Sequence, residues 1–197
     1  MTAEEISFFD TISDSWDQNE VLSTPDKIAD IISYADIRKG MEVLDLGTGT
    51  GVLLPLLSGL TGKEGRVVAV DASEGMLDKA IAKYGDLENV SFIRLDFEAE
   101  KITGKFDRII LYCVYPHLHK PEATLKRLIA ENLKKDGKIT VAFPSDENFI
   151  NNIHKERKAE SDLLPSAPHL ASIFSGWGLP AAVCAYDSHR YVVQIQS

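Results

Sequence analysis

The chain has 197 residues, 44% of them hydrophobic and 26% charged, a composition that suits one globular domain with a sizeable core. Twenty-one Lys and Arg face 30 Asp and Glu, and the formal net charge of −9 disfavours nucleic acid or an anionic membrane as partner. The acidic opening MTAEEISFFD lacks the basic-then-apolar order of a secretory leader, and no apolar run nears the roughly 18 residues of a membrane helix, so a cytoplasmic protein is expected.

Ile6, Phe9, Ile12 and Trp16 recur at helical spacing and predict a helix over residues 3–18. Thr24 and Pro25 open a second helix, with Ile28, Ile31, Ile32 and Ala35 as its apolar stripe. Residues 1–40 thus read as an N-terminal helical cap on the domain at 41–197. Beyond Gly40 come five short apolar runs: Met41–Leu46, Arg66–Val70, Val90–Leu95, Arg108–Val114 and Lys138–Phe143. Helical segments at Val52–Leu60, Ser73–Tyr84 and Pro121–Leu133 alternate with them. That alternation predicts an α/β fold of βαβ units around a parallel sheet. A polar amphipathic helix is expected at Asp146–Glu160, a break at Leu163–Pro168 and a short helix at His169–Phe174. Ala181–Tyr186 and Tyr191–Ile195 then form an antiparallel hairpin. The only cysteines, Cys113 and Cys184, fall in strand-like runs, where buried free thiols are expected.

The first strand runs into VLDLGTGTG, Val43 to Gly51. A strand, a glycine turn and a helix start form a ligand site at the edge of a parallel sheet. A dinucleotide site would read G-x-G-x-x-G, but Val52 stands where the third glycine belongs. No Gly-Lys-Ser/Thr ending makes it a P-loop. Asp45, two residues before Gly47, would repel a phosphate and favour an ammonium group. The competing interpretation is an ordinary tight turn. Asp71 ends the second strand, where a carboxylate can accept both hydroxyls of a ribose. Asp96-Phe97 ends the third. Either acid could instead cap a helix.

Asp-Leu-Gly-Thr-Gly-Thr-Gly, Asp45 to Gly51, resembles motif I of the class I S-adenosylmethionine-dependent methyltransferases. Asp71–Leu77 resembles that family's segment after strand two, and Phe106–Ile110 its motif IV. Leu133–Ile139 resembles its turn into strand five, with Lys135-Asp136 in place of Pro-Gly. The resemblance covers about residues 5–143 and, less specifically, the final hairpin. It implies a Rossmann-like, doubly wound, seven-stranded, mostly parallel sheet with an antiparallel last strand. It also implies S-adenosyl-L-methionine as cofactor, held by Asp45, Gly47, Thr48, Gly49, Gly51, Asp71, Ala72, Met76, Asp96, Phe97 and Tyr112. Met76 would pack on adenine and Asp96 would lie near its amino group.

Leu111–Leu118 resembles the segment of the ubiquinone/menaquinone-type subgroup in which a histidine follows strand four. The resemblance makes His117 the candidate general base, the alternative being a loop histidine bonded to backbone. Phe8–Asp17 resembles the subgroup's opening, with Trp16 where a tyrosine often closes over the cofactor. The alternative is a helix anchored in the core by Phe9 and Trp16. The insert from Pro144 to Pro168 stands where the family builds acceptor specificity, which makes His154 a candidate substrate residue. His154 shares its helix with Lys155, Glu156, Arg157 and Lys158. His117, His154 and His169 lack close ligand spacing, so no metal is expected.

The implied function is methyl transfer to a small-molecule acceptor by a monomer or homodimer. A non-catalytic S-adenosylmethionine-binding regulatory module is the alternative. An NAD-dependent oxidoreductase fits less well, given Asp45 and the absent third glycine.

Overall fold

The computed structural model describes residues 1–16, 24–156 and 163–196. Seven strands form one sheet in the order β3-β2-β1-β4-β5-β7-β6. They are β1 (Glu42–Leu46), β2 (Arg66–Asp71), β3 (Val90–Arg94), β4 (Phe106–Tyr112), β5 (Leu133–Phe143), β6 (Ala181–Asp187) and β7 (Arg190–Gln196). β1 to β5 are parallel, and β7 runs antiparallel between β5 and β6. The expected doubly wound sheet with one reversed strand is therefore present. Seven helices accompany it among the described residues: α1 (Ala3–Ile12), α2 (Pro25–Ser33), α3 (Leu54–Thr61), α4 (Glu74–Tyr84), α5 (Pro121–Arg127), α6 (Glu147–Glu156) and α7 (Ala167–Gly176).

Period-2 alternation splits β1 between two cores. Val43 faces a layer of α2, α3 and α4 with Ile28, Ile31, Leu54, Leu57 and Ala80. Leu44 and Leu46 face the other layer, where α5 and α7 contribute Leu125, Leu170 and Phe174. Asp45 shares the pleat side of Val43. The strand order reverses between β1 and β4, so their carboxyl ends leave a crevice, the usual ligand position in such sheets.

Residues 1–40 are not a uniform cap. The apolar stripe of α2 is fully built into the core. Arg108 of β4, itself buried, fixes the end of that segment: its Nε donates to the Ala35 carbonyl at 2.6 Å and its Nη2 to that of Asp36 at 3.2 Å. α1 buries none of its residues and lies across the start of α4. It begins with a Thr2–Glu5 capping box and stops at Ile12, short of the expected residue 18. Ser13, whose hydroxyl turns back to the Asp10 carbonyl, marks the stop, and Trp16 sits in the turn that follows. Asp17 of the N-terminal motif lies outside the described residues, as do Arg157 and Lys158 of the insert.

Two other boundaries moved. The helix expected through Leu133 is α-helical only to Arg127, and a wider π turn spans Leu128–Asn132. Asn132 there donates to the carbonyls of Ile102 and Gly104, which ties the turn to the loop before β4. β4 ends at Tyr112 because Cys113 takes φ +59°, a left-handed conformation that no strand accommodates. Cys113 is thus a half-buried thiol at a strand tip rather than a core thiol. Cys184, also free and half-buried, sits at the β6 bulge.

Candidate functional site

Three glycines in the β1–α3 turn have positive φ, and each meets a different environment. At Gly47 (φ +69°) an added Cβ would lie 2.5 Å from Val114 Cγ2, so this glycine lets the turn pass close to the β4 exit. At Gly51 (φ +86°) it would meet Tyr84 at 2.8 Å and Ala80 at 3.1 Å, so this glycine lets α4 pack. Gly51 does not line the cleft, contrary to its expected cofactor role; its place in the motif serves helix packing. Gly49 (φ +54°) alone of the three has nothing within 4 Å of that position and faces open cleft. Gly51→Ala is therefore expected to lower the melting temperature by several degrees, for about 1–3 kcal/mol of overpacking. Gly49→Val carries only a strain of about 1–2 kcal/mol in the fold, yet should abolish cofactor binding measured by calorimetry. Unchanged affinity in a folded Gly49→Val variant would remove the turn from the site.

The acids around the turn are buried. Asp45 is 1% exposed and accepts the Thr48 hydroxyl at 2.6 Å. Burial pushes its carboxyl up to about 7; the Thr48 bond opposes this and the charge of Asp71 adds to it. A carboxylate so desolvated, with no Lys or Arg among the described residues lining its cleft, is a place for a positive ligand group. Asp71, 8% exposed, accepts the Gly49 N–H at 2.8 Å through one oxygen and the Ser73 N–H at 2.9 Å through the other. It thereby joins the glycine turn to the start of α4. Burial raises its carboxyl above the usual range, against the pull of those backbone bonds.

The cleft these groups line measures about 810 Å³, open mouth included. Asp45, Gly47, Thr48, Gly49, Asp71, Ala72, Met76, Phe97, Tyr112, Trp16 and His117, all candidate site residues, line it. Asp96 does not: its Oδ2 pairs with the Met1 amine at 3.1 Å and its Oδ1 accepts the Glu98 N–H. His154 is not a lining residue either, but its ring lies 5.3 Å from that of His117, centroid to centroid. Among the described residues no group of three His, Cys, Asp or Glu is placed to hold a metal ion. No described helix is long and apolar enough to cross a membrane.

Sequence reasoning missed Cys113, carried into the cleft by its left-handed backbone, and the task of Asp10. Asp10 Oδ1 accepts the Ser73 hydroxyl at 2.5 Å and the Gly75 N–H at 3.0 Å, which pins α1 to the N-terminus of α4. Phe9 then reaches the cleft, edge-on to both Trp16 (5.8 Å) and His117 (5.5 Å). The Phe9-Asp10 pair was the available signal.

A crevice at the topological switch point, a glycine turn open at Gly49 and an acid at each of the first two strand ends define an S-adenosylmethionine-dependent methyltransferase fold. The chain belongs to the methyltransferase-domain family, whose match spans residues 37–180. It is 30% identical over 102 residues to a malonyl-[acyl-carrier protein] O-methyltransferase of Acetivibrio thermocellus, covering 52% of this chain and 35% of that one. It is 37% identical over 86 residues to the ubiquinone/menaquinone biosynthesis C-methyltransferase UbiE of Coxiella burnetii, covering 41% and 34%. The matched stretches thus span about a third of each of these curated relatives. A solved S-adenosylmethionine-dependent methyltransferase of Aquifex aeolicus superposes with a TM-score of 0.75 at 23% identity, covering 95% of this chain and 97% of that one.

Proposed function

We propose that this chain methylates a small-molecule acceptor with S-adenosylmethionine. The observation that carries the proposal is the pairing of desolvated Asp45 with open Gly49 and Asp71 in one cleft. Asp45 would receive the cofactor's ammonium group, Asp71 the ribose hydroxyls with the lone pairs its backbone bonds leave, and Met76 and Phe97 the adenine face. When bound, the cofactor supplies a methyl group on a sulfonium sulfur, a good and neutral leaving group. The work left to the protein is to position the acceptor and take its proton. A lining in which Phe9, Trp16 and His117 join the glycine turn would suit a compact acceptor better than a folded protein surface.

His117 is the base in this proposal. It lies in the 3-10 turn Tyr115–His117 just after β4, on the cleft wall. With an acceptor in hand, His117→Asn should cut turnover roughly 10²–10⁴-fold while calorimetry finds cofactor affinity nearly unchanged. A rise in acceptor KM with turnover preserved would make His117 a positioning residue. No change in either would place the base elsewhere. The turnover assay separates a methyltransferase from a binding-only module, since both bind cofactor but only the first has turnover to lose.

A further inference from the structure

The insert helix α6 brings a second imidazole to the first. His117 and His154 lie 5.3 Å apart between ring centroids, with ring planes inclined at 44°, and both are half-buried. Two imidazoles joined by one N–H···N bond have centroids about 5 Å apart. His117 faces the cleft, whereas His154 stands behind it among exposed α6 neighbours Asn152 and Lys155. The insert is held in this place by Asn151, whose amide donates to the Leu164 carbonyl at 2.9 Å and whose carbonyl accepts the Leu164 N–H at 2.7 Å. Three residues along the same helix, that clamp sets the height of His154.

Resting on the proposed methyl transfer, we infer that His117 and His154 form a two-imidazole relay, with Asn151 as its positioning residue. As the acceptor atom bonds the methyl carbon and the carbon–sulfur pair stays on sulfur, the acceptor's proton passes to His117. The proton on the opposite ring nitrogen of His117 passes to His154 and from there to solvent. The relay commits the enzyme to acceptors that lose a proton on methylation, such as hydroxyl or acidic carbon groups, over carboxylates, tertiary amines and thioethers, which have none to give.

Several titratable groups surround His117. Asp45 and Asp71, at the β1 and β2 tips, and Tyr112 and Cys113, at the β4 end, line the same cleft. The Met1 amine is held by Asp96 and Glu98. α1 presents Phe9 to the cleft and the turn after it presents Trp16, and Glu5 of α1 pairs with His119 beyond the 3-10 turn. Asp45, pushed up to about 7, titrates in the imidazole range without being an imidazole, and burial raises the Asp71 carboxyl as well. The measurement is therefore made in an Asp45→Asn background.

The test is a pH titration of the five histidine rings by nuclear magnetic resonance, assigned by single substitution, and it needs no acceptor. Coupled rings should titrate in two steps at least about one pH unit apart. His154→Gln should move the His117 midpoint by half a unit or more. Asn151→Ala should shrink the separation, and His169→Gln should leave it alone. If His117 titrates identically with and without His154, in variants whose melting temperatures match the parent, the relay is wrong. S-adenosylhomocysteine binding to the wild-type chain is measured in parallel. Its absence would overturn the proposed function, whereas binding without coupled titration would overturn only the relay.

Discussion

Replacing Asp45 with Asn is expected to stabilise the cofactor-free protein at pH 8 and to weaken its hold on S-adenosylmethionine. The carboxyl titrates near 3.8 when unfolded and about 7 when buried beside Asp71. Between those values the native state keeps a proton that the unfolded chain has lost, so the Asp45 contribution to stability falls as pH rises from about 4 to 7 and is level above. The ceiling is roughly 4 kcal/mol, at about 1.4 kcal/mol per pH unit. An asparagine forgoes the charge-assisted bond to Thr48, so a smaller gain, about 3–6 °C in melting temperature, is expected at pH 8. Little or none should appear at pH 4. Cofactor affinity should move the other way, falling about 10–100-fold with the loss of an ion-paired hydrogen bond. In the parent that affinity should climb between pH 6 and 7.5 as Asp45 ionises, and the variant should lose the climb. A variant that gains stability yet binds as tightly as the parent would show that Asp45 does not meet the ligand's ammonium group.

Asp71→Ala should weaken cofactor binding more than Asp45→Asn does. It removes the proposed acceptor of the ribose hydroxyls and, in the same stroke, leaves the Gly49 and Ser73 N–H groups without their partner. Losing two charge-assisted bonds and the order of the glycine turn should cost about 3 kcal/mol or more, upward of 100-fold in affinity by calorimetry. Asp71→Asn keeps the shape but only one accepting atom, so it should fall between parent and alanine. Binding within twofold of the parent in Asp71→Ala would refute the assignment.

The cofactor half of the site could be read from the chain because its parts are local. Asp45, Gly47, Thr48 and Gly49 are tied by a handful of bonds, and Asp71 is one βαβ unit away, at a register fixed by the Leu46–Val70 pairing. What each glycine faces was not readable. Gly51 owes its place to Tyr84 and Ala80, side chains of a helix two elements later. Asp96 follows the acid-at-a-strand-end pattern of Asp71, but the pattern says nothing of the Met1 amine that occupies it. Trp16 kept helical spacing past the residue where α1 stops, since periodicity does not register the Ser13 turn. His154 was visible as a candidate, whereas its contact with His117 depends on how the insert folds back, which Asn151 and Leu164 decide.

The reversed strand has a consequence for how such a protein can change. Residues 144–180 leave the sheet at β5 and return to it at β6, and the β5–β7 pairing of Phe143 with Tyr191 closes the neck. Ser145 donates to the Ser188 carbonyl and Tyr191 to that of Pro165, so both the exit and the interior of the excursion are stapled to the same hairpin. A segment closed at its base adds little entropic cost as it lengthens, only about 0.6 kcal/mol per doubling. It can therefore be exchanged whole, with new length and new side chains, while the glycine turn and its two acids stay untouched. The excursion is in this sense modular cargo on a fixed chassis, and the hairpin is the coupling that lets one be replaced without rebuilding the other.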